Sequence, residues 1–236
     1  MDETVSVAER MQVLIEQWEK AGDGRADFLR CYSLMTGSML SAIEAGDFHD
    51  REWVGALLRH FAEYYFVAVD DYEQGSEAVP SVWRLAHDAA RQGDAWMLQN
   101  LLLGINAHIN YDLVLALVDM LDQEWQSLTL ANRQLRYEDH CHVNAIIGRT
   151  VDAVQDQVVE RRLPAMSVLD EILGPVDELL ASRMIAGWRE AVWNAAIQML
   201  DCSDMAERER LRREVEAEAL RRAQTILTGS NPTALV

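Results

Sequence analysis

The stretch Trp96-Met-Leu-Gln-Asn-Leu-Leu-Leu-Gly-Ile-Asn-Ala-His108-Ile-Asn-Tyr-Asp112-Leu-Val-Leu-Ala-Leu-Val-Asp119 decides the fold. Its apolar residues, among them Leu98, Leu101, Leu102, Ile105, Ile109, Leu113 and Leu117, fall on nearly every side of a 3.6-residue helix. A helix apolar all round is one surrounded by protein, so this one is expected at the centre of an all-α fold. Four polar residues interrupt it: Asn106, His108, Asn110 and Asp112. His108 and Asp112 are four apart and share one face, and Asn106 and Asn110 share an adjoining stripe. Polar groups in an apolar helix cost free energy unless they find partners. Two explanations follow: a polar network locking helices together, or a functional centre that holds a metal or moves protons.

Working outward, helical periodicity continues on both sides. Glu9–Lys20 carries Met11, Leu14, Ile15 and Trp18 at helical spacing and stops at Gly22-Asp-Gly24. Asp27 is read as the cap of a helix reaching Ala45, and Asp50 as the cap of an aromatic-rich helix, Glu52–Tyr72. Pro80 opens a short helix that ends at Gly93, and Asp94 is read as the cap of the central helix. Beyond a polar loop at Gln126–Thr129 come helices at Leu130–Arg161, Ser167–Leu173 and Val176–Met199, then a heavily charged one at Ala206–Leu227. The expectation is a single compact bundle of about eight helices over residues 1–228, with 229–236 as a flexible tail. The last helix, whose apolar stripe is narrow, is expected to be peripheral and is a candidate surface for a homo-oligomer.

Four prolines and twelve glycines in 236 residues leave room for long helices. The formal net charge of −18 repels phosphate backbones and anionic lipid, so neither nucleic acid nor membrane is an expected partner. Cys31, Cys141 and Cys202 are odd in number and widely spaced, which fits a reducing, cytoplasmic setting. No basic, then apolar leader is read at the N-terminus, and the polar residues of the central stretch argue against a membrane span.

Other constellations are weaker. Asp139-His140-Cys141-His142 places Asp139 and His142 on one helical face, so both are candidate metal ligands to join His108 and Asp112. Arg183, Arg189 and Trp193 are candidates for a cationic and aromatic wall, and Tyr64 for a substrate contact beside His60. His49 and His87 are read as surface or loop positions. Asp70-Asp71-Tyr72-Glu73, with Asn144-x-x-x-Gly148-x-x-x-Asp152 downstream, resembles the metal–diphosphate motifs of class I terpene synthases, although Gly148 stands where those enzymes have a hydroxyl.

Gly24-Arg-Ala-Asp-Phe28 through Thr36, then Leu102-Leu-Gly-Ile-Asn-Ala-His-Ile-Asn-Tyr-Asp-Leu113, then Asp139 with Val143-Asn144, then Arg189 and Trp193, together resemble a bacterial all-α family of unknown function that carries a G-x-N-A-H-I-N-x-D-L motif. The likeness runs from about Gly24 to Met199. It implies that His108 and Asp112 matter more than Asp70 or His142, and it supplies no activity. The His108-x-x-x-Asp112 pair also looks like a zinc-ligand pair of the all-α zinc phospholipase C enzymes. Val114–Val118, however, lacks the histidine those enzymes place beyond the aspartate.

Three functions follow. The first is a small-molecule enzyme using His108 and Asp112, with Asn106 and Asn110 in support and one divalent ion, zinc or magnesium, activating water for hydrolysis. The second is a cyclase or isomerase, metal-free or magnesium–diphosphate directed, with an aromatic pocket for an apolar substrate. The third is a non-enzymatic helical binding module.

Overall fold

The structure, a computed structural model, describes residues 3–93, 95–154 and 178–229. Helices α1 (Glu3–Ala21), α2 (Arg25–Ala45), α3 (Arg51–Glu73) and α4 (Ser81–Gln92) lead into a long helix. That helix consists of α5 (Met97–Ala107), a π-helical turn (His108–Asp112) and α6 (Leu113–Leu121). Then come α7 (Leu130–Val154), α8 (Glu178–Asp201) and α9 (Met205–Thr228). The described residues contain no strand, as the periodicity predicts.

The central helix divides the apolar interior in two. Leu103, Ala107, Tyr111 and Leu115, each four residues on from the last, pack into a cluster with Phe28, Leu29, Tyr65, Phe66 and Trp83. Leu113, Val114, Leu117 and Leu121 pack into a second cluster with Trp53, Leu58, Val192 and Trp193. This helix is long and apolar enough to cross a membrane, with a mean hydropathy of 1.6 over its most apolar window, but 78% of that window is buried inside the fold. The protein that surrounds it accounts for the all-round apolar pattern.

Several termini follow the sequence and several do not. Asp50 caps α3, its side chain accepting from the Trp53 N–H at 2.9 Å. Gly93, at φ 71°, ends α4 in the left-handed region. The helix assigned to Asp27 starts earlier, at Arg25 after Gly24, and Asp27 is buried in its first turn. The Trp96 end of the central helix is a cap in which Gln99 accepts from the Trp96 N–H, and Trp96 itself is 71% exposed. Asp94, the helix at 167–173 and the tail beyond 229 lie outside the described residues.

The charged C-terminal helix is not peripheral. In α9, Leu211, Ala219, Ala223 and Ile226 are buried, and Val215 and Leu227 of its apolar stripe pack against the chain's own core. Asn106 Nδ2 donates to the Ala219 carbonyl at 2.8 Å, and Arg222 donates to Asn110 Oδ1 at 2.9 Å. The polar residues of the central helix supply docking points that the narrow stripe alone does not.

Candidate functional site

His108 and Asp112 open and close the π-helical turn, in which the Leu113 N–H reaches the His108 carbonyl five residues back. Such single wide turns recur at functional sites because they re-aim side chains within a helix. The Asp112 carboxyl lies 3.0 Å from His108 Nδ1, and both of its oxygens accept from the Trp83 indole N–H at 3.0 Å. His108 is 3% exposed and Asp112 1%. The other imidazole nitrogen, His108 Nε2, is buried and has no hydrogen-bond partner.

An aromatic box encloses the imidazole. Phe61 is stacked on it with centroids 3.7 Å apart and planes 9° from parallel, and Tyr32 meets it edge-on at 4.2 Å. Phe28, Tyr65 and Trp83 close the box at 6.0 to 6.3 Å. Gly104 makes room for Phe28, because a Cβ there would lie 2.3 Å from the Phe28 ring. Phe61 is the half-buried member of the set, whereas Phe28, Tyr32, Tyr65 and Trp83 are buried.

Burial pushes His108 well below the ordinary imidazole range and Asp112 well above the ordinary carboxyl range. In a dry interior a net-neutral pair is the least costly state. Those directions favour a neutral carboxyl beside a neutral imidazole, an arrangement in which Asp112 donates to Nδ1 and the ring proton is on Nε2, facing the aromatic rings. Trp83 fixes the carboxyl and the carboxyl fixes the ring, so Nε2 has a defined direction.

The remaining candidates fall elsewhere. Asn106 and Asn110 hydrogen-bond to each other at 3.0 Å and are committed to α9. Asp139 is 1% exposed and accepts from the His49 and Asp50 backbone N–H groups at 2.7 and 3.0 Å, pinning the loop that starts α3. Its neighbour His142 lines a separate surface cleft with Asp47, His49, Glu138, Asp139 and Cys141. Among the described residues, no three His, Cys, Asp or Glu side chains gather as a ready metal group.

Tyr64 donates to Asp119 Oδ2 at 2.7 Å on the surface, and His60 shares that oxygen at 2.9 Å. Arg183 is exposed at the start of α8. Arg189 is buried and turned to α7, donating to Asn144 Oδ1 at 2.9 Å and to the His140 carbonyl at 2.7 Å. Trp193 packs on Tyr137 and His140. Arg189 and Trp193 therefore join α8 to α7. Asp70 pairs with Arg10 at 2.9 Å, the side chain of residue 152 lies outside the described set, and Asn144 is engaged by Arg189.

Sequence reasoning offered an aromatic pocket without assembling its rings around His108, and misplaced His87. His87 is 3% exposed and stacks on Trp83 at 5.2 Å, on a buried face of α4. The signal was present as spacing: Trp83 and His87, and Phe61 and Tyr65, are i,i+4 pairs that each share a helical face.

A model of a family of unknown function, DUF5995, matches residues 4–229. The chain belongs to the DUF5995 family. No curated protein and no solved structure matches it. The resemblance read from the motifs is thus to an uncharacterised all-α family, and membership in DUF5995 carries no activity with it.

Proposed function

We propose that the protein is a small-molecule enzyme whose acid–base group is His108, acting without a metal on an apolar substrate that enters past Phe61. One observation carries this reading: the buried, unpartnered Nε2 of an imidazole whose other nitrogen is anchored to Asp112 and, through it, to Trp83. An acid–base group oriented by a carboxyl is an arrangement suited to proton transfer. The proton balance is simple. Nε2 gives its proton to an acceptor atom of the substrate while Nδ1 takes the proton of Asp112, leaving a neutral imidazole and an Asp112 carboxylate. Nε2 then recovers a proton from a second position of the same substrate, and Nδ1 returns its own to Asp112. The net reaction is an isomerisation or cyclisation, and the surrounding ring faces favour positive charge developing on the substrate.

A second reading, a non-enzymatic helical protein, rests on Asn106 and Asn110, which fasten α9. Titration with p-cresol, an apolar ring bearing one polar atom, separates the two through tryptophan fluorescence, because Trp83 is part of the box. Saturable quenching in the wild type that disappears in His108→Phe supports the enzyme. An identical response in both proteins, or none in the wild type, supports the helical module.

A further inference from the structure

We propose that the cleft between the α2–α3 loop and α7 binds a divalent transition-metal ion of the zinc class, with Cys141, His142, His49 and Glu138 as its donors. The cleft has a volume of about 390 Å³, and each of the six side chains that line it carries a metal-ligating atom. Glu138, Cys141 and His142 stand at i, i+3 and i+4 on α7, so one helical face presents a carboxylate, a thiol and an imidazole together. His49 faces them from the loop. A mixed sulfur, nitrogen and oxygen set selects zinc or cobalt over magnesium or calcium, which prefer oxygen alone.

Three further features point to a cation. His142 Nε2 is buried and lacks a hydrogen-bond partner, while its ring stands edge-on to Phe48 at 5.3 Å. A buried ring nitrogen left unpaired is costly until something binds it. The sixth lining residue, Asp139, uses its two oxygens to hold the backbone of His49 and Asp50. It is a positioning residue that fixes His49 against α7, as outer-shell carboxylates fix metal ligands elsewhere. Finally, among the described residues the buried Arg189 guanidinium finds only neutral partners, Asn144 and His140, and lies within electrostatic reach of the Cys141 sulfur. A metal-bound thiolate there gives it a counter-charge that the described residues do not supply.

The donors line the cleft without converging on a point, since His49 Nε2 is drawn to Glu138 Oε2 at 3.1 Å. Both of those side chains are about half exposed and can turn about their side-chain bonds, so the ion itself gathers the set. The site does not include His108 or Asp112 and stands independently of the proposed acid–base centre.

The experiment is titration of the chelator-treated full-length protein with Co(II), read by absorption. The expected result is saturation at one equivalent with a near-ultraviolet sulfur-to-cobalt charge-transfer band and visible bands of tetrahedral intensity. Cys141→Ser abolishes the charge-transfer band, and His142→Ala weakens binding about tenfold or more. Cys31→Ser, Cys202→Ser and His108→Gln leave the spectrum unchanged. Circular dichroism of each variant reports folding. Should Cys141→Ser or His142→Ala fail to fold, competition of Zn(II) for Co(II) in the wild type, with loss of the band on alkylating Cys141 alone, gives the same answer. The proposal is overturned if the wild type shows no charge-transfer band, or if the band survives in Cys141→Ser.

Discussion

The ring of Phe61 lies flat on the imidazole of His108, with centroids 3.7 Å apart and planes 9° from parallel. Phe61 is half buried and His108 almost fully so, which makes Phe61 the member of the box that stands between His108 and solvent. Phe61→Ala is expected to cost about 2 kcal/mol in urea denaturation, below the range for a fully buried phenylalanine. It should also expose His108 to carbethoxylation, from which burial is expected to protect the wild type. A His108 equally protected in Phe61→Ala would show that entry does not pass this ring.

Trp83 gives its indole N–H to Asp112, so the carboxyl has partners on both sides. Asp112→Ala strands the indole N–H and His108 Nδ1 together and should destabilise by about 3 kcal/mol. Asp112→Asn keeps an acceptor for Trp83 and should cost less than half of that. Chemical denaturation of the two variants checks the ordering, and equal losses would contradict the indole's role.

His87 carries a pH dependence. Burial pulls its pKa from the ordinary 6.5 down to about 3, and the positive charge of Arg25 adds to the effect. Between those values the unfolded chain binds a proton at this residue and the folded chain does not. Stability therefore falls as pH is lowered through the window, by up to about 1.4 kcal/mol per pH unit. Asp112, whose pKa is raised by burial, acts in the opposite sense, so the comparison is of wild type with His87→Phe, where Asp112 is common to both. His87→Phe should flatten the acid limb of the stability curve. An unchanged limb would mean that His87 is already protonated in the folded protein.

Asn106 is fully buried and ties the central helix to the Ala219 carbonyl in α9. Asn106→Ala leaves that region short of a donor and should cost about 1–3 kcal/mol. Amide exchange should accelerate first in α9, because the lost bond is its anchor. Uniform acceleration across all helices would argue against α9 as a separately held element.

Much of this was legible in the sequence. The all-round apolar run over 96–119 marked the central helix, and the i,i+4 spacing of His108 and Asp112 marked the pair. The π-helical turn was not legible, since it changes which carbonyl an N–H reaches without changing residue type. The box was hidden for a different reason. Its rings come from α2, α3 and α4, and periodicity reports which face a ring takes but not which helix it meets. Asp139 illustrates the same limit, because it holds the backbone of Asp50 from 89 residues away, and no local pattern joins them. The apolar stripe of α9 reads as too narrow to dock, because the hydrogen bonds from Asn106 and Arg222 that complete its docking are long-range.

The central claim is that the buried pair is kept for chemistry and does not hold the fold together. The most direct measurement is the unfolding free energy of the double variant His108→Phe/Asp112→Asn against wild type. Phenylalanine removes the orphaned Nε2, and asparagine still accepts from Trp83, so the asparagine NH2 takes the place of Nε2 as the unpaired group of this box. Exchanging one buried unpaired donor for another leaves the balance of buried polar groups nearly unchanged. The account predicts a double variant within about 1 kcal/mol of wild type in stability that no longer responds to p-cresol. A loss of about 3 kcal/mol or more, of the size seen when a needed buried pair is broken, would contradict it.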